Sequence, residues 1–160
     1  MRRSRLVIVF AFLLLGGSLL SAAPHGDFDH VVDFSVTLKS LSAAAAGSGV
    51  LPTDRFVLLT GTVADVTFLD ANEATFRVRV ELITGEWVTS DEVRSYTCYV
   101  EFSGPEFFKI FPARAPRTVT PGIIVANTRV LVVGKPSRIV TNAAGVKEAL
   151  VDGATIRSIE

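Results

Sequence analysis

Residues 75–83 read TFRVRVELI, and this stretch decides the class of fold. Apolar and charged side chains alternate along it: Phe76, Val78, Val80 and Leu82 against Arg77, Arg79 and Glu81. A period of two places the apolar set on one face of a β-strand and the charged set on the other. The stretch therefore predicts a strand in a sheet that buries one face and leaves the other in solvent.

The sequence on both sides of this strand predicts four further strands, separated by turn residues. They cover residues 56–68, 95–102, 128–133 with a continuation at 137–141, and 147–159. Gly61 lies inside the first of them and predicts a bulge or a sharp bend where the sheet curls. The compositions of Asp70–Glu73 and Asn142–Gly145 are typical of turns. A short helical turn is expected at 106–111, where Pro112 ends it.

The segment at 24–54 contains an additional element before this main domain, which we place at 55–160. Residues 31–38 alternate between apolar and polar side chains and predict a half-buried strand. The alanine-rich stretch 38–46 is instead typical of a short helix. Both alternatives stay open from the sequence.

The first 23 residues have the layout of a secretory signal peptide. Arg2, Arg3 and Arg5 precede an uncharged, mostly apolar run at residues 6–20, and small residues follow. A transmembrane helix needs ~20 apolar residues, so cleavage is favoured over an uncleaved anchor. The sequence therefore predicts an exported protein, periplasmic or secreted, which contacts the membrane only if this segment is kept.

The composition after the signal segment limits the classes of partner. Removing its three arginines from the 16 basic residues leaves 13, against 16 acidic residues. Non-specific nucleic-acid binding needs a basic face, often with ~6–10 phosphate contacts, so this balance speaks against nucleic acid. The single cysteine, Cys98, excludes an internal disulfide, and its place on the apolar side of a strand predicts a buried thiol.

Three meandering strands, a short helical insert and a final hairpin form the chain order of the OB-fold. Leu59–Val63 (LTGTV) resembles the opening of the first OB strand, and Val130–Lys135 (VLVVGK) resembles the fourth. Thr97–Phe102 (TCYVEF) is similar to the third strand of the exported OB proteins of the tRNA-anti-like type. The resemblance implies an all-β, five-stranded Greek-key barrel with a short helix between its third and fourth strands. An immunoglobulin-like β-sandwich is the alternative.

The resemblance also implies where a ligand would bind. OB-folds bind ligands across the outer face of their second and third strands. On this chain that face carries Arg77, Arg79, Thr97 and Tyr99. Arginines beside a tyrosine can clamp and stack on a sugar or on single-stranded nucleic acid. The alternative is an ordinary solvated strand face.

Phe107, Phe108 and Phe111 cluster around the short helical turn. Core packing is the default for such rings, but exposed rings would form an apolar surface for a partner. No motif for nucleophilic or acid–base catalysis is recognisable, and the acidic residues of the first turn do not match the calcium-loop pattern.

These features predict a non-enzymatic, exported binding module for a protein or an envelope component, without a cofactor or a metal. Two alternatives remain. One is a structural or stress-related envelope protein that works as a homo-oligomer. The other is an oligosaccharide or single-stranded nucleic-acid binder that uses the outer face of the barrel.

Overall fold

The structure, a computed structural model, describes residues 31–114 and 121–159. The predicted signal segment, residues 1–23, lies outside the described residues. The helix α1 covers Leu38–Ala45. The strands are β1 (Val32–Asp33), β2 (Phe56–Asp70), β3 (Arg77–Trp87), β4 (Val93–Ser103), β5 (Arg129–Thr141) and β6 (Lys147–Ser158). Two short 3-10 turns lie at Glu73–Thr75 and Pro105–Phe107.

Strands β2 to β6 close into a barrel in the order β2-β3-β4-β6-β5, and β5 pairs back onto β2. Three neighbouring pairs in this order and the closing pair are antiparallel, whereas β4 and β6 run parallel. A closed Greek-key barrel of five strands is the architecture of the OB-fold. The predicted all-β, OB-like fold is therefore confirmed, and the β-sandwich alternative is wrong.

Closure of the barrel depends on β2, which is long enough to pair with two neighbours in succession. Its first half, Val57–Thr62, pairs with β5, and its second half, Thr62–Asp70, pairs with β3. Gly61 lies at the change of partner, where an added Cβ would come within 3.1 Å of the backbone oxygen of Ile83. The register shift nearest to the bulge or bend predicted at Gly61 lies between Val63 and Asp65, just beyond this change of partner.

The helix offered for residues 38–46 forms at Leu38–Ala45, whereas the strand predicted over residues 31–38 is wrong in extent. Only Val32 and Asp33 form a strand, which pairs in parallel with the beginning of β2. The side chains of Thr37 and Ser40 cap α1 reciprocally, each accepting a hydrogen bond from the other residue's backbone N–H. This capping box starts the helix at Leu38, the last residue of the alternating stretch.

The two ends of the barrel are filled by different parts of the chain. At the beginning of β4, α1 inserts Leu38, Leu41 and Ala45, which belong to the same core as the strands. At the other end of β4, the ring of Phe102 lies 5.0 Å from that of Phe107 and 5.6 Å from that of Phe111, between centroids.

The phenylalanines proposed as a partner surface are therefore mostly core residues. Phe107 and Phe111 are only 5% and 2% exposed because they close the barrel against Phe102. Phe108 is 37% exposed, and its ring packs edge-on against the buried Phe76. One partly exposed ring is not a contiguous apolar patch, so the described residues at this end of the barrel do not form the expected surface.

Gly153 on β6 tests the packing at this end. An added Cβ would overlap the ring of Phe102, which is fully buried and has no free space to move into. We expect Gly153→Ala to lower the free energy of unfolding by about 1–3 kcal/mol, measured by urea denaturation. Gly49→Ala is the control, since its Cβ would meet only ordinary contacts at 3.8 Å and beyond. Equal stabilities of the two variants would contradict this packing.

Leu41 tests whether α1 belongs to the barrel core. The side chain is fully buried, so Leu41→Ala should cost about 2–5 kcal/mol of unfolding free energy by the same assay. Ser42→Ala, on the adjacent and more accessible position, should cost less than about 0.5 kcal/mol. A neutral Leu41→Ala variant would mean that the helix is only loosely attached.

Candidate ligand-binding face

The four residues predicted to bind a ligand lie on the outer faces of the adjacent strands β3 and β4. Their neighbours in sequence, among them Val78, Val80 and Cys98, point into the core and are fully buried. The guanidinium of Arg79 lies 5.5 Å from the centre of the Tyr99 ring, a cation–π arrangement. The structure therefore brings Arg77, Arg79 and Tyr99 together, while Thr97 hydrogen-bonds to Glu148 on β6.

Glu101 on β4 organises the basic part of this face. It is only 9% exposed, and its Oε1 accepts hydrogen bonds from Nε and Nη2 of Arg79 at 3.0 and 2.6 Å. Its Oε2 lies 3.4 Å from Nη2 of Arg77 and 3.8 Å from Nη2 of Arg138 on β5. One carboxylate thus orients three arginines. We call Glu101 and these three arginines the basic half of the face.

Sequence reasoning did not find Glu101 or Arg138 as parts of this site. The alternation along β4 indicates that Glu101 points outward, but only the register between β3 and β4 places it directly opposite Arg79. Arg138 approaches from β5, which is not a neighbour of β4 in the sheet. Neither relation is visible in the alternation of a single strand.

The other half of the face is acidic. Glu148 is only 7% exposed, and its Oε1 accepts a hydrogen bond of 2.8 Å from the Thr97 hydroxyl. Burial, and then the charges of Glu148 and Asp65, raise the pKa of Glu81. We call Glu81 and Glu148 the acidic half.

Tyr99 lies between the two halves. Burial raises the pKa of its hydroxyl first, and the charges of Glu81 and Glu148 add to the effect, while Arg79 and a hydrogen bond with Asn142 oppose it. The hydroxyl is therefore neutral at physiological pH and can both donate and accept a hydrogen bond.

Cys98 lies beneath this face and points inward. Burial, with a smaller contribution from the charge of Glu148, raises the pKa of its thiol to about 12. The thiol is therefore protonated at neutral pH and is not an available nucleophile. Its predicted burial is confirmed.

The two predicted turns, Asp70–Glu73 and Asn142–Gly145, use polar side chains to hold their own backbones. The Asp70 carboxylate accepts hydrogen bonds from the Asn72 N–H and the Thr75 hydroxyl, and these lower its pKa. The Asn142 side-chain oxygen accepts bonds from the N–H groups of Ala144 and Val146. Within the described ranges, no three His, Cys, Asp or Glu side chains gather as a metal site would require.

A cleft of about 420 Å³ lies elsewhere on the barrel, where β2 and β3 diverge. Their pairing ends at Thr62 and Ile83, beyond which each strand continues with a different neighbour. Arg129 is the charged residue of the lining. None of the residues predicted to bind a ligand takes part in this cleft.

Comparisons with known proteins add little beyond the fold. No family model matches the sequence, and no curated protein matches it. Similar solved structures include the small single-stranded DNA-binding protein from Streptomyces coelicolor, with 15% identity and a TM-score of 0.41 over 65% of this chain and 91% of that one.

Two PriB structures are similar to a comparable degree. PriB from Ralstonia solanacearum has 10% identity and a TM-score of 0.39, and covers 65% of this chain and 97% of its own. The dimeric N-terminal domain of PriB from Thermoanaerobacter tencongensis has 16% identity and a TM-score of 0.40, with 66% and 96% covered. At these values the likenesses do not indicate what this chain binds.

Among the described residues, no helix has both the length and the apolar character needed to cross a bilayer.

Glu101→Gln tests the role of the shared carboxylate. Removing the charge leaves Arg79, which is two-thirds buried, without its counter-charge. We expect a loss of about 1–3 kcal/mol in unfolding free energy, measured by urea denaturation. Glu86→Gln is the matched control, because its ion pair with Lys39 is solvent-exposed and should contribute much less. A Glu101 variant as stable as the control would show that the arginines do not depend on this carboxylate.

Proposed function

We propose that this chain is a non-enzymatic binding module that holds an oligosaccharide on the outer face of β3, β4 and β6. The observation that carries the proposal is the composition of that face. Cationic donors, carboxylate acceptors and an aromatic ring with a neutral hydroxyl lie side by side around Tyr99. Sugar hydroxyls both donate and accept hydrogen bonds, and their apolar ring faces pack on aromatic rings, so such a mixed surface suits them. The OB-fold accommodates oligosaccharides as well as oligonucleotides.

The charge distribution favours an oligosaccharide over a polyanion. The three arginines of the basic half converge on Glu101, which offsets part of their charge. Glu81 and Glu148 continue the face with negative charge. A phosphate backbone that follows β4 would therefore meet attraction at one half and repulsion at the other.

Single-stranded nucleic acid is the second candidate, and a specific observation favours it. The side chains of Arg77 and Arg138 are 52% and 56% exposed, so both can still reach a phosphate. The pairing of Arg79 with Tyr99 also offers a platform on which a base can stack.

Export and membership of the tRNA-anti-like type are parts of this proposal. The layout of residues 1–23 supports export, and an exported binder meets the polysaccharides of the envelope. An oligosaccharide is thus the envelope component that this face suits best. Burial of Phe107 and Phe111 removes the support for a protein partner at that end of the barrel.

Tyr99→Ala is the direct test. Loss of the ring should weaken binding of an oligosaccharide at least about tenfold, or ~1.4 kcal/mol, in isothermal titration calorimetry with oligomers of glucose or N-acetylglucosamine. Tyr96→Ala is the matched control, because this tyrosine lies on the same strand but contacts Lys39 and Glu86 instead of the face. Thermal unfolding of both variants checks that they fold.

The same titrations with an oligothymidylate separate the two candidates. Nucleic-acid binding would weaken steeply as salt is raised, whereas binding of a neutral sugar would hardly change. Binding of the oligothymidylate alone, with that salt dependence, would replace the first candidate with the second. No binding of either polymer would end both.

A further inference from the structure

Glu148 presents a buried hydrogen-bond acceptor that the protein itself leaves unused. Its Oε1 is bonded to the Thr97 hydroxyl, but its Oε2 has no donor among the described residues and is almost inaccessible to solvent. A buried polar atom without a partner costs about 1–3 kcal/mol, more when it is charged. Such a group in a folded protein calls for a physical explanation, and a donor supplied by a ligand is one.

Other negatively charged side chains lie around the Glu148 carboxylate. The register places it close to Tyr99 and Glu81, because Leu150, two residues after Glu148 on β6, pairs with Tyr99, and Tyr99 pairs with Glu81. Its negative charge raises the pKa values of both groups. Asp65 on β2 stands opposite Glu81 in the register and adds a third negative group nearby. The ion pairs within the described residues include neither Glu81 nor Glu148, whereas the carboxylate of the basic half has three arginines.

We propose that the acidic half is a subsite for an ammonium group of the ligand, so that the chain selects an amino sugar with a free amine. This inference rests on the proposed function and specifies the substrate class. An ammonium brings three donors and one positive charge. It would supply the missing hydrogen bond to Oε2 of Glu148 and reduce the repulsion between Glu148 and Glu81.

The geometry suits an ammonium group better than a metal ion. The described residues hold no group of three or more ligating side chains, which a divalent cation bound by protein would need. The hydroxyl of Thr97 already holds one oxygen of Glu148 in place. Because Oε2 is almost inaccessible in this structure, a ligand's donor would reach it through a rotation about the terminal torsion of the glutamate, which is soft. The Tyr99 ring lies beside this position and can pack against the sugar that carries the amine.

The experiment compares two oligosaccharides that differ only at the nitrogen. Calorimetry in mildly acidic buffer measures the affinity of the folded protein for an oligomer of glucosamine and for an oligomer of N-acetylglucosamine of equal length. We expect the glucosamine oligomer to bind about tenfold or more tightly than the N-acetylglucosamine oligomer, because one hydrogen bond to a charged group changes the affinity by about that factor. Glu148→Gln and Glu81→Gln should each reduce this ratio toward one. Glu92→Gln, which removes one exposed charge at the tip of the β3–β4 hairpin, should leave it unchanged.

The possible results are distinguishable. Equal binding of both oligomers to the unaltered protein would overturn the ammonium subsite and leave oligosaccharide binding intact. A preference that survives both glutamine substitutions would overturn the assignment to Glu81 and Glu148. Calcium competing with the glucosamine oligomer at equal concentration would show that the acidic half is a metal site instead. No binding of either sugar would overturn the subsite together with the proposed function. Thermal unfolding of each variant excludes misfolding as the cause of a changed preference. Glu81→Gln is the variant less prone to misfold, because Glu81 is more exposed than Glu148.

Discussion

The backbone hydrogen bonds of β2 to two different strands are the constraint on which the rest of the molecule depends. The strand pairs with β5 over one half of its length and with β3 over the other half. This double pairing turns an open sheet into a barrel and leaves one buried interior for the apolar side chains. It also fixes the curvature that makes β3, β4 and β6 a continuous outer face. The candidate site is therefore a consequence of closure and needs no insertion or separate lobe.

The alternation of side chains was enough to predict the barrel strands and the orientation of their residues. Arg79 and Tyr99 point outward and Cys98 inward, as the period of two requires. The N-terminal element was harder to decide, because an alternating stretch at 31–38 and an alanine-rich stretch at 38–46 meet at Leu38. The hydrogen bonds between Thr37 and Ser40 stabilise the start of the helix, and the helix is held in place by the packing of Leu41 in the barrel core. Such a contact between distant segments cannot be read from the local pattern.

The site was predicted in part for a related reason. A pattern along one strand gives the face on which a residue lies, but it does not give the register between strands. Glu101 receives its arginines through that register, and Glu148 meets Thr97 only because β6 returns beside β4. The phenylalanines show a second limit of sequence patterns. A cluster of rings in the sequence looks the same whether the rings close a core or cover a surface. Their burial follows from where the chain crosses the end of the barrel.

The parallel pairing of β4 with β6 has a consequence for how the chain reaches its native state. Parallel neighbours cannot be joined by a tight hairpin, so β6 reaches β4 only after the chain has run through β5. The first barrel strand likewise finds its second partner only near the end of the chain. Assembly is consequently dominated by encounters between remote segments, a topology associated with slow folding on the millisecond-to-second scale. Until the last hairpin arrives, the apolar sides of β2 to β4 stay open to water, and the half-built sheet is at its most vulnerable to aggregation.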